Sequence, residues 1–187
     1  MKKKILLASG SARRKELMTQ LGYEFEVVTA DCDELYPEDL PADQVAPFLS
    51  ELKAKSFAAV GADEILITAD TVVVLDRQVL GKPRSREEAL MMLQSLSGKM
   101  HQVYTAITIR SGEIFTTEVD VANVFFDTIT EEEATMYVDR YQPMDKAGSY
   151  GIQEWLGMAR ITRIEGSFYT IMGLPTHLLY KTLQKLM

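Results

Sequence analysis

Apolar positions along this chain recur in two rhythms, one helical and one alternating. Ile5 to Ala8 reads as a short buried strand, and Ser9-Gly10-Ser11 breaks it with a turn. Between Arg13 and Leu21, Leu17, Met18 and Leu21 share one helical face, and Gly22 supplies the stop. Tyr23 to Val28 alternates as a second strand, and Asp31 to Pro41 is a polar, acidic loop. From Ala42 to Val60, the residues Val45, Leu49, Leu52, Ser56 and Ala59 gather on one side of a helical wheel. Pro47 either kinks that helix or marks a late start. Ile65 to Leu75 is the strongest strand; Arg77-Gln78 then turns into Val79-Leu80, before the Gly81-Lys82-Pro83 break. Ser85 to Leu96 is a helix with capping-box spacing between Ser85 and Glu88, closed by Gly98. Gln102 to Arg110 and Glu113 to Asp127 form a hairpin about Ser111-Gly112. Thr130 to Asp139 is a helix with the same spacing at Thr130 and Glu133. Arg160 to Ile164 and Ser167 to Ile171 predict a second hairpin around Glu165-Gly166, and Pro175 opens a C-terminal helix. Helices interleaved with hairpins predict a mixed α/β sheet rather than a purely parallel one.

A length of 187 residues admits one sizeable core, or at most two lobes sharing a cleft. No repeat, low-complexity tract or linker interrupts the chain, so residues 1–187 read as a single domain. A net charge of −7 repels nucleic acid and anionic membrane, so a nucleotide ligand would need a local basic pocket. The single cysteine, Cys32, rules out an intramolecular disulfide and fits a reducing compartment. The basic start Met1-Lys2-Lys3-Lys4 precedes an apolar stretch too short for a secretory signal, and no run approaches a membrane span. These features together predict a cytoplasmic protein.

Candidate chemistry falls at a few places. Ser9-Gly10-Ser11-Ala12-Arg13-Arg14-Lys15 joins a strand to a helix, where free backbone N–H groups point outward. The helix dipole disfavours the cations Arg13, Arg14 and Lys15 in that first turn by about 0.3–1 kcal/mol each. Either a bound polyphosphate offsets this cost, or the turn is solvated and pairs with Asp31, Asp33 or Glu34. Asp70 is the one charge within Ile65 to Leu75, and a carboxylate in a central strand needs a cation, a metal or a set of donors. The alternative is a structural carboxylate capping a neighbouring loop. Thr71 belongs to the opposite face of a regular strand, so both can line one site only if the strand bends or ends. Lys53 and Lys55 border the apolar helical face on opposite sides, and periodicity does not choose between them. Lys82 sits on a rigid turn suited to a fixed phosphate contact. In Asp145-Lys146-Ala147-Gly148-Ser149-Tyr150-Gly151-Ile152-Gln153, glycines permit close approach and Gln153 can donate to and accept from a base edge, though a plain turn-rich loop reads the same way. The histidines His101 and His177 lack metal-ligand spacing, and no G-x-S-x-G elbow is present.

Together these segments resemble the Maf family of nucleoside triphosphate pyrophosphatases. The matching stretches are Leu7 to Leu17, Ala69-Asp70-Thr71-Val72-Val73, Leu80-Gly81-Lys82-Pro83, Leu96-Ser97-Gly98, Met144 to Gln153, and Met172-Gly173-Leu174-Pro175, in family order. The pattern departs from the family at Ala12, where proline is typical, and at Thr68, where glycine is common. The resemblance implies an elongated mixed sheet flanked by helices, with two lobes around a deep cleft, as in inosine-triphosphatase-like proteins. It implies hydrolysis of dTTP and UTP, and of modified pyrimidine triphosphates as an extension, to the monophosphate and pyrophosphate. It further implies a homodimer and a divalent cation, Mg²⁺ or Mn²⁺. Asp70 becomes the catalytic acidic residue, Ser9, Arg14, Lys53 and Lys82 surround the phosphates, and Arg13, Thr71 and Gln153 mark the dTTP/UTP branch. Asp70 with Asp33 or Glu34 would supply the metal carboxylates. Members of the family have also been linked to arrest of septum formation, which leaves a nucleotide-binding regulator with little turnover as the alternative.

Overall fold

A computed structural model describes residues 3–187; Met1 and Lys2, the start of the basic run, lie outside the described residues. Among the described residues the strands form one seven-stranded sheet in the order β2-β1-β3-β5-β6-β7, with β4 paired to β3. The strands are β1 (Lys4–Ala8), β2 (Glu26–Val28), β3 (Glu64–Leu75), β4 (Gln78–Leu80), β5 (Met100–Ser111), β6 (Ile114–Phe126) and β7 (Ile161–Glu165). The helices are α1 (Ala12–Gln20), α2 (Ala42–Lys55), α3 (Arg86–Leu96), α4 (Glu131–Tyr141), α5 (Trp155–Arg160), α6 (Phe168–Met172) and α7 (Thr176–Leu186). The sheet is mixed as expected: β1 runs parallel to β2 and β3, whereas β3–β4 and β6–β7 are antiparallel.

The chain forms two compact units, and β3, β5 and β6 run through both. Residues up to Thr71, with Thr105–Asp120 and Gly173–Met187, make the first. Val72–Tyr104 and Val121–Met172 make the second. In the first unit, Ala8, Val60 and Leu66 close a small core with Leu6, Val28, Ala30 and Phe57 packed against it. The amphipathic α7 buries Leu179 and Leu183 there. In the second, α3 packs on α4, each helix capped at its N-terminus by the hydroxyl its sequence predicts. Thr130 and Glu133 complete a reciprocal capping box. Ser85 accepts from the Glu88 N–H, but the Glu88 carboxylate goes to the Arg84 N–H instead.

Several boundaries differ from the expectation. The second strand shrinks to Glu26–Val28, the extent of its pairing with Leu6–Ala8. Helix α2 starts at Ala42 and carries Pro47 inside it, ending at Lys55 rather than Val60. The tight turn after β3 is Asp76-Arg77, not Arg77-Gln78, because both those residues have positive φ, 49° and 68°. The expected hairpin around Glu165-Gly166 does not form. Ile161–Glu165 pairs instead with β6, Ile164 opposite Val124, and Phe168–Met172 is helical. At Gly166 φ is 116°, and a Cβ there would come within 2.9 Å of the Val121 carbonyl oxygen, so the chain leaves β7 in a conformation suited to glycine.

Candidate functional site

On one side of β3 the pairing changes hands. β1 accompanies it only as far as Ile67, opposite Leu7, and β4 begins opposite Val73. Asp70 and Thr71 fall in the stretch between. β3 continues past them to Leu75, and the two side chains take separate partners.

Asp70 is buried and meets Lys53 of α2, with Nζ 2.5 Å from Oδ1. Glu34, from the acidic loop, reaches the same ammonium at 3.1 Å. Of the two lysines that periodicity left open, Lys53 is therefore the inward one. Lys55 is exposed and pairs with Glu51 one turn back at 2.7 Å. Thr68, at a position where the family favours glycine, reinforces this placement. Its hydroxyl donates to the Ser50 carbonyl at 2.7 Å, tying the helix of Lys53 to the strand of Asp70. Asp33 is exposed, one residue before Glu34.

Thr71 turns to Arg14 and to Thr105. The Arg14 guanidinium donates to the Gly173 carbonyl at 2.8 Å, to the Thr71 hydroxyl at 3.1 Å and to the Ser9 hydroxyl at 3.4 Å. The Thr71 and Thr105 hydroxyls lie 3.0 Å apart. Burial pulls the Arg14 pKa below its ordinary value, and the Asp70 carboxylate acts in the opposite direction. The Ser9 side chain also accepts from the Ser11 N–H, which shapes the turn before α1. Ser11 caps α1 through the Arg14 N–H, and Arg13 lies in the helix's first turn. Ser9, Arg13, Arg14, Glu34, Lys53, Asp70 and Thr71 all belong to the first unit. Sequence reasoning did not single out Thr105, and although Gly173 lies in a matching stretch, nothing in that stretch points to its carbonyl as the acceptor of Arg14.

Lys82 and Gln153 belong to the second unit. The Gly148 N–H donates to the Gly81 carbonyl at 3.1 Å, which joins the Lys82 turn to the segment leading to Gln153. Lys82 and Gln153 are both exposed. Gly148 has φ 67° and lies against Val73, where a Cβ would come within 2.9 Å of the valine side chain. Lys146 is buried in this segment between Asp145, at 2.8 Å, and Glu154, at 3.1 Å. His101, outside any metal cluster, bonds the Tyr150 hydroxyl at 2.7 Å, and its Nδ1 has no partner. Burial holds its pKa at about 4.

A mixed α/β protein with a cation-rich strand-to-helix turn and a buried acid facing a lysine is the class these features define. The chain matches the family described as Maf-like protein over residues 4–186. It belongs to the Maf family. It is 50% identical over 187 residues to a Bacteroides thetaiotaomicron protein named dTTP/UTP pyrophosphatase, covering 99% of this chain and 97% of that one. A Flavobacterium johnsoniae protein of the same name is 42% identical over 186 residues, covering 99% and 96%. Among solved structures, the Staphylococcus aureus Ham1 protein aligns with a TM-score of 0.45 and 16% identity, over 69% of this chain and 73% of that one.

Proposed function

We propose that this protein is a nucleoside triphosphate pyrophosphatase that hydrolyses dTTP and UTP to the monophosphate and pyrophosphate. One observation carries the reading: the Asp70 carboxylate is buried beside the Lys53 ammonium, in a chain whose close relatives bear that activity in their names. In the proposed step a water oxygen bonds to the α-phosphorus, its proton passes to Asp70, and the bond to the β-phosphate oxygen breaks. Ser9, Arg14, Lys53 and Lys82 hold the triphosphate and balance the charge of the departing pyrophosphate. Arg13, Thr71 and Gln153 select the pyrimidine base. No helix among the described residues is long and apolar enough to cross a membrane, in keeping with a cytoplasmic enzyme. A homodimer is part of the reading.

A divalent cation fits the donors present. Two carboxylates, Asp70 and Glu34, already converge on one cation, the Lys53 ammonium. No group of three His, Cys, Asp or Glu side chains that could hold a metal occurs among the described residues, and Mg²⁺ or Mn²⁺ would be held by Asp70 and Glu34 together with phosphate oxygens and water. Asp33 is the alternative second carboxylate. When bound, the ion would neutralise phosphate charge and acidify a coordinated water.

Incubating the protein with either metal and a panel of triphosphates, and separating pyrophosphate from orthophosphate, tests the proposal. Pyrophosphate from dTTP and UTP with little from purines is the expected result. Tight nucleotide binding without pyrophosphate release would overturn it in favour of a nucleotide-binding regulator.

A further inference from the structure

Gln153 sits in a β-turn closed by the Glu154 N–H, which donates to the Gly151 carbonyl at 3.0 Å. Both ends of this turn are held by one phenol. The Gly151 N–H donates to the Tyr137 oxygen at 2.9 Å, and the Tyr137 O–H donates to the Glu154 carboxylate. The other Glu154 oxygen accepts from Lys146 at 3.1 Å. Glu154 precedes α5 but makes no side-chain cap there; its carboxylate is committed to Tyr137 and Lys146.

Tyr137 itself has little freedom. It is fully buried on α4 and stacks on Tyr141 with ring centroids 4.9 Å apart. Burial, and then the Glu154 carboxylate, raise its pKa above the ordinary value, so the phenol keeps its proton and stays a donor. A second constraint comes from the far side of the turn. A Cβ on Gly157, in α5, would fall 1.9 Å from the Ile152 carbonyl oxygen, so helix and turn are in backbone contact.

We propose that Tyr137 is a positioning residue for base selection, its hydroxyl fixing the turn that presents Gln153 to the substrate. This rests on the reading of Gln153 as a base-selecting residue given above. An exposed glutamine discriminates poorly if its backbone wanders, because a hydrogen-bonding site rejects wrong partners only when its geometry is held. Tyr137 touches neither base nor phosphate in this scheme; it acts through Gly151 and Glu154.

The test compares Tyr137→Phe, Gln153→Ala and the double variant in full-length enzyme, measuring kcat and KM for dTTP, UTP and a purine triphosphate. Tyr137→Phe keeps the ring and its stacking and removes both bonds. Its pyrimidine-over-purine ratio of kcat/KM should fall by about tenfold, mainly through KM, as expected for two lost hydrogen bonds. In the Gln153→Ala background the same change should leave the ratio where Gln153→Ala alone puts it. Unchanged selectivity in Tyr137→Phe, with a lower melting temperature only, would overturn the proposal and leave Tyr137 a purely structural residue. If Gln153→Ala leaves selectivity intact, the base-reading assignment of Gln153 has failed instead. Glu154→Gln weakens the same turn from its other end, replacing the carboxylate that meets the Tyr137 O–H and Lys146 while keeping the phenol in place. It should lower the ratio in the same direction, and serves where Tyr137→Phe yields too little folded enzyme.

Discussion

The Lys53 ammonium lies 2.5 Å from the Asp70 carboxylate, both side chains about nine-tenths buried, with Glu34 completing the group at 3.1 Å. A buried charge whose partner is removed is strongly destabilising, whereas removing both partners is often neutral. Lys53→Met should therefore cost about 3 kcal/mol in urea unfolding, and Lys53→Met with Asp70→Asn should recover most of it. Equal destabilisation in the single and double variants would contradict a coupled pair.

Asp70→Asn alone keeps the shape of the side chain and loses its basicity. Pyrophosphate release should fall by at least about a hundredfold, the usual scale for removing a general base. Circular dichroism would establish that the fold persists. Retained turnover would remove Asp70 from its proposed role.

Arg14 places its nitrogens on Gly173, Thr71 and Ser9, a fork that a lysine cannot reproduce although it carries the same charge. Arg14→Lys should raise KM for dTTP by about tenfold, the scale of one lost charge-assisted contact. Steady-state kinetics would show this. An unchanged KM would mean that charge alone suffices at this position.

The turn between β3 and β4 holds two non-glycine residues at positive φ, Asp76 and Arg77. Such hairpin turns favour glycine at the second position. Arg77→Gly should stabilise the protein by about 1 kcal/mol, raising Tm by about 3 °C at this chain length. Calorimetry measures the shift, and a fall in Tm would show that Arg77 contributes contacts that outweigh its strain.

His101 has a folded-state pKa of about 4 against an ordinary 6.5, because burial disfavours its charged form. The unfolded chain therefore binds the proton first as pH drops. Its contribution is complete above pH 6.5 and is lost as pH falls towards 4, about 3 kcal/mol in all and about 2 of it by pH 5. His101→Gln, which can still bond the Tyr150 hydroxyl, should flatten the stability profile between pH 7 and 5. An equally steep loss in that variant would place the acid sensitivity elsewhere.

The sequence carried the elements that depend on neighbours along the chain. The Thr130–Glu133 capping box, the Gly98 stop and the isolation of Asp70 among apolar residues all sit where their local pattern put them. The failures are long-range. Periodicity left Lys53 and Lys55 equivalent, and Asp70 decided between them from another element. The Glu165-Gly166 segment looked like a hairpin because a strand does lead into it, but the partner of that strand is β6 rather than the following residues. Nothing in the sequence singled out Tyr137 within its helix; its hydroxyl finds partners fourteen and seventeen residues away, at Gly151 and Glu154.

Arg14 reaches across 159 residues to its acceptor on Gly173. A ribosome delivers the basic turn well before this carbonyl, and contacts so distant in sequence form late. Until Gly173 emerges, the Arg14 guanidinium therefore lacks one of the three acceptors that hold it. The orientation of this guanidinium is therefore shared between two distant stretches of chain, and neither fixes it alone.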